Sequence, residues 1–474
     1  MVIFPTMTTE APAGYRSTRS HNASVIANLV WRHEDGILRS ELSQQTGLST
    51  STVWAIVAEL MADGLLSSTQ TARPKSGRPP AVLHFNRNRQ HIVGIEMGAS
   101  HVVAALCDLR CNVLWHRSVE HDSQNDPPGT LSLIQDLVAE GRSQAGAQGD
   151  LLGVGVAVPC PIDDMTLDRL SPRILPAWAN VRFAHELYRR LGARVFVDND
   201  ANCGASAEAM LGAGRDVSDF AFLKVATGCG AGLYLHHELY RGFSGIAGEI
   251  GHTTVDPNGR QCRCGLRGCL EAEIGSAALI EKAQHGLGRY PDSMLANKPA
   301  LNLSDIVQAA QAKDPLAVEL ITEAGRYLGI GVANLLNLHN PARVIVGGRL
   351  AAAGDQILLP LRESVKERTL WTSVERSELL ISELGNEHIA AGAASLVLRA
   401  ALSDLDLFRG PLPAPEDTTP PEAPGTAREV QHATPTGGAT PAPLANPPAT
   451  QPSAVDSAEV SPNDEDVSDR AAES

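Results

Sequence analysis

The fold of this chain is decided by Gly248-Glu249-Ile250-Gly251-His252, followed by Cys262-Arg263-Cys264-Gly265-Leu266-Arg267-Gly268-Cys269-Leu270-Glu271. Three thiolates and one imidazole satisfy the tetrahedral preference of zinc, and four protein ligands leave no open position for hydrolytic chemistry. Gly265 and Gly268 allow tight turns, since glycine enters positive φ at no steric cost. The pattern therefore predicts a structural zinc site formed by His252, Cys262, Cys264 and Cys269.

The alternative is that these residues are three buried thiols and a core histidine, because free cysteine behaves as a small hydrophobe. A Cys-x-Cys-Gly-x-x-Gly-Cys loop with a histidine upstream is far more specific than a lone cysteine pair, which favours zinc. Once four ligands are complete, the flanking carboxylates of Glu249 and Glu271 are free to accept hydrogen bonds from a polyol.

These residues resemble the zinc- and sugar-binding motif A-G-E-I-G-H…C-x-C-G-x-x-G-C-x-E of the ROK family, with every position matched from Ala247 to Glu271. That family groups bacterial sugar kinases with sugar-responsive repressors. In it the histidine and both glutamates also line the sugar pocket, which implies the same role for His252, Glu249 and Glu271. The resemblance further implies an α/β fold with two lobes, of the actin-like ATPase (ribonuclease H-like) type.

Length and composition indicate several domains and no membrane span. The 474 residues can form two or three domains with full cores. The sequence has no apolar run of about 18 residues, and its start lacks the basic and apolar segments of a signal peptide. We therefore expect a cytoplasmic protein in a reducing compartment, where clustered cysteines act as metal ligands instead of forming disulfides.

The net charge of −15 is unevenly distributed along the chain. The first 90 residues are mildly basic, so the acidic excess elsewhere does not exclude nucleic-acid binding by this part. Composition predicts a disordered amino terminus at 1–20. The resemblance implies a DNA-binding domain at 21–88, as in the repressors of the family, and a sugar-binding domain at 91–405. A Pro-, Ala- and acid-rich tail at 410–474 is predicted to be disordered, because it cannot bury enough surface to offset its ordering entropy.

Three short helices are predicted at the start of the DNA-binding domain. Apolar residues at helical spacing follow Ser24, and Ser40 is predicted to cap a second helix. A glycine turn ends in Ser49, which is predicted to cap the third helix. Two helices, a glycine turn and a further helix are the order of a helix-turn-helix.

A wing is predicted after the third helix, from two strands at 65–67 and 81–85 that enclose a basic loop. The alternative is a small helical subdomain with a solvated loop. The whole segment resembles the winged helix-turn-helix of ROK repressors, including the G-R-P-P wing at 77–80. In such a module the first turn of the recognition helix enters the major groove. The predicted DNA-contacting residues are Ser49, Thr50, Ser51, Thr52 and Trp54 in that turn, with Lys75 and Arg78 in the wing.

The target DNA sequence does not follow from these residues. Hydroxyl groups contact either phosphates or base edges, so they predict base preference weakly. The family often has a small polar residue followed by a basic one where this chain has Trp54 and Ala55.

A vestigial nucleotide site is predicted from the run Glu96-Met97-Gly98-Ala99-Ser100, which resembles the first phosphate loop, D-x-G-G-T, of actin-like ATPases. There the carboxylate holds magnesium, and magnesium demands near-ideal octahedral geometry. Glu96 is one methylene too long and Ala99 adds a Cβ, so we expect no ATP or magnesium as cofactor. The residues assigned to this site are Glu96, Gly98, Ser100, Thr227, Gly228, Gly230, Gly347 and Gly348, of which the last two are equally typical of ordinary loops.

Asn199 and Asp200 follow a predicted strand, at the end where α/β sheets meet their ligands. In ROK kinases the aspartate of N-D-A-N removes a proton from the sugar hydroxyl, a role that Asp200 would have if this chain is a kinase. The same carboxylate can bind a hydroxyl without chemistry. The alternative is that Asp198 or Asp200 only caps the following helix.

Three functions therefore stay open. One is a sugar-responsive transcriptional repressor with a hexose or hexose derivative as effector, and another is a zinc-containing ATP-dependent sugar kinase. The third is a DNA-binding scaffold without a ligand. The altered phosphate loop and the DNA-binding segment favour the repressor. Its expected partners are operator DNA, a sugar or sugar-phosphate effector, and further copies in a homodimer or homotetramer, because such repressors bind palindromic half-sites.

Overall fold

The computed structural model describes residues 18–70, 81–144, 150–162, 169–370, 375–385 and 387–410. The predicted tail beyond Gly410 lies outside the described residues. No helix within these ranges combines the length and apolarity that crossing a membrane requires. All eight cysteines are free thiols.

The amino-terminal head begins with three helices: α1 (Thr18–Arg32), α2 (Arg39–Thr46) and α3 (Thr50–Ala62). Helix α1 starts inside the segment that was expected to be disordered, at 1–20. Ser49 caps α3 as predicted, because its side chain accepts a hydrogen bond from the Thr52 amide. The prediction for Ser40 is wrong. It lies inside α2, whose cap position is occupied by Leu38.

The wing is part of a three-stranded antiparallel sheet, in the order β1 (Ile37–Leu38), β3 (Ala81–Phe85) and β2 (Leu66–Gln70). β2 and β3 pair from Leu66 opposite Phe85 to Gln70 opposite Ala81. The predicted hairpin is confirmed, and the alternative of a purely helical subdomain is wrong. Strand β1 escaped prediction because two residues show no periodicity. The tip of the hairpin, with Lys75 and Arg78, lies outside the described residues.

The first lobe is a five-stranded sheet covered by helices. Its strands are β4 (Gln90–Met97), β5 (His101–Cys107), β6 (Val113–Glu120), β7 (Asp150–Val158) and β8 (Val195–Asn199), in the order β6-β5-β4-β7-β8. β4, β5 and β6 are antiparallel neighbours, whereas β7 and β8 run parallel to β4. Helices α4 (Pro127–Gln144) and α5 (Phe183–Leu191) bury their apolar sides against this sheet.

The second lobe repeats this arrangement. After helix α6 (Asp200–Leu211), it contains β9 (Phe220–Val225), β10 (Cys229–Leu235), β11 (Glu238–Tyr240), β12 (Arg343–Gly347) and β13 (Glu378–Ile381), in the order β11-β10-β9-β12-β13. Again three antiparallel strands are followed by two parallel ones. Two lobes with the same strand order confirm the predicted two-lobed architecture of the actin-like type.

The remaining helices of the second lobe are α7 (Leu270–Ile274), α8 (Ser276–Gly286), α9 (Leu303–Gln311), α10 (Pro315–His339) and α11 (Asp355–Lys366). Of these, α10 is continuous over 25 residues and buries Leu316, Leu320 and Leu328. Asp314 caps α10 by accepting a hydrogen bond from the Ala317 amide.

The last helix, α12 (His388–Ser403), returns the chain to the first lobe. It packs against β4 and β7 and against α6, and its buried side is rich in alanine. Small side chains permit the close approach of these elements. Helix α12 therefore contacts α6, which begins at Asp200, and its end forms part of the surface against which the amino-terminal head packs.

The head is docked on the first lobe by hydrogen bonds and a shared apolar core. Asn28 and Ser24 of α1 donate to the carbonyls of Leu402 and Ser403 at the end of α12, each at 3.1 Å. The Trp31 indole donates to the Leu109 carbonyl at 3.0 Å. Apolar residues of the head and of this lobe form one continuous buried cluster. The head is therefore packed against the first lobe through α1 and not joined to it by a linker alone.

Candidate functional site

A cleft of about 770 Å³, including its opening to solvent, lies between the two lobes. The first lobe contributes its glycine loop after β4 and the Pro159 turn after β7. The second lobe contributes the turn between β9 and β10 and the loop that carries the cysteines. Of the predicted sugar-binding residues, all five line the cleft: Asn199, Asp200, Glu249, His252 and Glu271.

Asn199, Asp200 and Asp198 have three different roles where β8 ends and α6 begins. Asn199 is the N-cap, since its side-chain oxygen accepts from the amides of Ala201 and Asn202. The interpretation of Asp198 or Asp200 as the cap is therefore wrong. Asp198 is buried, where it accepts from Arg241 at 2.7 Å. Asp200 lines the cleft and is the predicted base of a kinase.

Lys224 of β9 is the residue that engages Asp200. Its ammonium group lies 2.7 Å from Oδ2 of Asp200 and 2.8 Å from Oε1 of Glu96. Burial alone would lower the pKa of Lys224, but the charges of Asp200 and Glu96 outweigh it and raise that pKa above its usual range. Burial alone would raise the pKa of Glu96, but Lys224 and His101 hold it well below its usual range. Lys224 and Glu96 are consequently both ionised at neutral pH.

Glu249 and Glu271 differ in how far they are available to a ligand. Burial raises the pKa of Glu249 to about 7, and the negative charges of Asp200 and Glu271 add to this effect. Glu271 is not as free as expected. Its two oxygens accept from the Arg263 guanidinium at 2.7 and 3.2 Å, and the backbone amide of Cys229 donates to it at 3.1 Å. Sequence reasoning passed over Arg263, although a basic residue between two ligand cysteines was a usable signal.

The predicted metal ligands are brought together by the loop that precedes α7. The ligand atoms of His252, Cys262, Cys264 and Cys269 all lie within 4.8 Å of one another. The Cys264 and Cys269 sulfurs are 3.7 Å apart, and the Cys262 sulfur is 3.6 Å from Nδ1 of His252. A tetrahedral ion with Zn–S bonds of about 2.3 Å requires sulfur separations of about 3.8 Å. The donor set and its spacing therefore fit a tetrahedral metal ion.

Two glycines make this loop possible, as predicted. Gly265 and Gly268 have φ angles of +94° and +70°, in the left-handed region that favours glycine. A Cβ on Gly268 would also lie 1.6 Å from the Asp256 carbonyl oxygen. Any other residue at this position would force the backbone of residue 268 or of Asp256 to shift, directly beside the ligand Cys269.

The residues assigned to a nucleotide site are only partly assembled. Gly98, Thr227, Gly228 and Gly230 line the cleft, and Glu96 lies behind it in contact with Lys224. Ser100 is exposed. Gly347 is the last residue of β12 and Gly348 follows it, and neither lines the cleft. Gly348 instead packs on the backbone of Val225, where a Cβ would lie 2.7 Å from the carbonyl oxygen. The assignment of Gly347 and Gly348 to the nucleotide site thus gains no support from their position.

The candidate DNA-binding face is the exposed side of α3. Thr50 and Ser51 are exposed, and Thr52 is partly buried. The Ser49 hydroxyl lies 2.9 Å from that of Ser51 and 2.8 Å from that of Thr52, so these groups also bind one another.

Trp54 on the same face is half exposed, and the guanidinium of Arg39 stacks on its ring at 3.8 Å. Sequence reasoning missed Arg39, because the pairing depends on how α2 crosses α3.

Comparisons with known proteins agree with both halves of the molecule. The ROK family profile matches residues 92–400, and a winged helix-turn-helix DNA-binding profile matches residues 31–67. The xylose repressor of Bacillus subtilis is 31% identical over 363 residues, which cover 76% of this chain and 91% of that protein.

Two of the solved structures that are similar to this chain differ in how much of it they cover. A ROK family transcriptional regulator described as a homologue of the E. coli Mlc protein has a TM-score of 0.71 at 27% identity, covering 83% of this chain and 99% of that one. A ROK family glucokinase from Streptomyces griseus, in complex with glucose and AMPPNP, has a TM-score of 0.56 at 28% identity, covering 65% and 98%. The likeness to the regulator includes the head, whereas the shorter match to the enzyme spans about two thirds of the chain.

Proposed function

The chain belongs to the ROK family, and from this premise we propose that it is a transcriptional repressor that binds operator DNA and responds to a sugar. The observation that carries the proposal is the seating of a winged helix on the lobe that shares the ligand cleft. An enzyme that only modifies sugars does not require a winged helix packed against its sugar-binding lobe. A scaffold without a ligand has no use for a cleft lined with polar groups, since unpaired buried polar groups are costly.

The proposed effector is an unphosphorylated hexose or hexose derivative. Asn199, Asp200, Glu249, Glu271 and His252 offer the acceptors and donors that hydroxyl groups need. Within the described cleft, the carboxylates of Asp200, Glu249 and Glu271 outnumber the cations of Lys224 and Arg263, both of which are already paired. An anionic phosphate ester would find both cations already neutralised by carboxylates, so the neutral sugar is favoured over the sugar phosphate.

We further propose zinc as the metal of the Cys3His cluster. Zinc held by His252, Cys262, Cys264 and Cys269 would stabilise the loop and leave no open coordination position. Its role is to fix the backbone that carries Glu271 and the ring of His252. The Nε2 atom of that ring lies 4.0 Å from Glu249, which places the metal next to the sugar-binding groups.

A second candidate function is an ATP-dependent sugar kinase with Asp200 as the base. Its support is the likeness to the glucokinase bound to glucose and AMPPNP. Two contacts oppose it. Asp200 is engaged by Lys224, and the backbone amide of Cys229 in the second glycine loop donates to Glu271. We therefore favour sugar sensing over phosphoryl transfer as the function of the cleft.

The proposed mechanism is a population shift between two arrangements of the lobes. A sugar held by Asp200 contacts the first residue of α6, α6 packs on α12, and the end of α12 binds Asn28 of the head. Sugar changes the affinity for operator only by its different affinity for the two arrangements. Because a repressor of this kind binds two half-sites, the active form is a homodimer or a homotetramer.

The test is a calorimetric titration of the zinc-loaded protein with hexoses and N-acetylhexosamines, each with and without Mg-ATP. Sugar binding that does not require Mg-ATP, together with a sugar-dependent change in operator affinity, is expected. Tight Mg-ATP binding followed by transfer of phosphate to the sugar would instead establish the kinase and overturn the proposal.

A further inference from the structure

A buried group of three charged side chains lies where the two lobes meet. Lys224 projects from β9 of the second lobe and contacts Asp200, at the start of α6, and Glu96, in β4 of the first lobe. The side chains of Lys224, Glu96 and Asp200 are only 10%, 5% and 13% exposed. Burying three charges costs free energy unless each charge is paired at close distance. The three side chains are therefore held in one arrangement.

The space next to this cluster is filled by another side chain of the protein. The ring of His101 lies over Gly98, so that a Cβ on that glycine would be 2.2 Å from the nearest ring atom. Nε2 of His101 also lies 3.7 Å from Oε1 of Glu96. The glycine loop after β4 is therefore covered by an imidazole, at the place where its backbone would have to approach a phosphate group.

We propose that Lys224 is a built-in cation that takes the position between Glu96 and Asp200 where a divalent metal ion would otherwise bind. Phosphoryl transfer depends on a divalent cation that neutralises the phosphate oxygens and on a carboxylate that orients the attacking hydroxyl. The Lys224 ammonium group occupies the position of the divalent cation. It also binds Oδ2 of Asp200, the carboxylate that would orient the attacking hydroxyl. Lys224 thereby limits Asp200 to accepting a hydrogen bond from the sugar.

An ammonium group cannot replace the metal functionally. A divalent ion keeps open coordination positions for phosphate oxygens, whereas Lys224 already directs two of its three N–H donors to carboxylates. The Lys224 ammonium is also attached to β9, so it cannot move together with a phosphate group during transfer as a free ion can. This inference goes beyond the repressor function, since it concerns metal binding in the cleft and holds whether or not the protein binds an operator.

The experiment uses the full-length zinc-loaded protein and Mn²⁺ as a paramagnetic probe, with free Mn²⁺ measured by electron paramagnetic resonance. The wild type is expected to show no Mn²⁺ site that depends on Glu96. Lys224→Ala removes the ammonium and leaves room for a hydrated ion, so it is expected to gain one Mn²⁺ site. Lys224→Ala/Glu96→Gln is expected to bind Mn²⁺ at least about tenfold more weakly than Lys224→Ala, because one of the two carboxylates is neutral. Lys224→Arg keeps a cation and is expected to behave as the wild type.

Two outcomes would overturn the proposal. One is stoichiometric Mn²⁺ binding by the wild type that Glu96→Gln removes, which would mean that Lys224 does not occupy the metal position. This comparison requires no change at Lys224 and holds even if Lys224→Ala is unfolded. The other is a folded Lys224→Ala protein, verified by circular dichroism, that gains no Mn²⁺ site.

Discussion

At the scale of single residues, the cleft works through pairs in which one member orients the other. Arg263 holds Glu271 with two hydrogen bonds, and Lys224 holds Asp200 with one. A carboxylate fixed in this way presents its remaining lone pairs in a defined direction, which is what discrimination among sugar hydroxyls requires. Residues that orient these carboxylates are therefore expected to affect the affinity for the sugar.

Arg263→Met is expected to weaken sugar binding about tenfold, because Glu271 is left without its charged partner in a buried position. The matched control is Arg267→Met in the same loop, since Arg267 donates only to the Gly259 carbonyl and is exposed. Calorimetry with the best sugar of the panel measures both variants. Equal affinities for the two variants would contradict a positioning role for Arg263.

Trp54→Ala is expected to lower operator affinity about tenfold, because a half-exposed ring on the recognition helix can contact base edges or methyl groups. Sugar affinity should not change. Leu114→Ala is the control, since Leu114 is equally exposed, at 53%, but lies on β6 in the first lobe. Fluorescence anisotropy with labelled operator provides the measurement. An unchanged affinity in Trp54→Ala would remove this residue from the DNA-binding face.

At the scale of elements, the loop between the 3₁₀ turn at Ile250–His252 and helix α7 joins the Cys3His cluster to the cleft. It has little regular structure of its own: two isolated bridges, Thr254 with Cys269 and Gln261 with Arg267, and a few turns. A loop of this kind depends on its metal for a single conformation, because metal binding and folding are coupled. Loss of a metal bound by these residues should therefore remove sugar binding.

Cys264→Ser is expected to release zinc and to weaken sugar binding by about a hundredfold or more, since ligand loss disorders the residues around Glu271. Cys107→Ala is the control, because Cys107 is a buried thiol of β5 outside the cluster. Zinc content is measured by elemental mass spectrometry and sugar affinity by calorimetry. If metal content and sugar affinity both survive in Cys264→Ser, the assignment of the cluster is wrong.

At the scale of the whole molecule, the head and the first lobe share one buried cluster. Because of this packing, we expect a change in the angle between the lobes to reach the head through α12 and α1, and not only through the short connection before β4. The contact between α1 and α12 is consequently the position at which response to sugar can be separated from binding of sugar or DNA.

Asn28→Ala/Trp31→Phe removes the hydrogen bonds from α1 to Leu402 and Leu109 and keeps most of the apolar packing. The change in operator affinity that sugar causes is expected to fall about fivefold, while each separate affinity stays within about twofold. The control is Arg19→Ala, since Arg19 of α1 pairs with Glu59 inside the head. Operator titrations with and without sugar measure the effect. A full sugar response in the double variant would exclude this route.

Patterns within the chain determined the parts of this protein that depend on neighbours in sequence. The wing strands, the Ser49 cap and the four-ligand cluster were predictable, because spacing sets which side chains share a face or a turn. The two-lobed fold was predicted from the resemblance to the ROK family and not from spacing. Sequence patterns also brought Asn199, Asp200, Glu249 and Glu271 to one site. The start of α1 and the cap of α2 were misplaced, since the ends of elements depend weakly on local preference.

Only the tertiary structure decided what the site residues are bound to. Lys224 and Glu96 are far apart in sequence, and their ion pair with Asp200 exists because β9 and β4 face each other across the cleft. The same holds for the stacking of the Arg39 guanidinium on the Trp54 ring and for the hydrogen bond from Asn28 to the Leu402 carbonyl. Electrostatic pairing acts through space and leaves no periodic trace along the chain. The sequence therefore determined which groups the cleft contains, and the fold determined which of them are still available to a ligand.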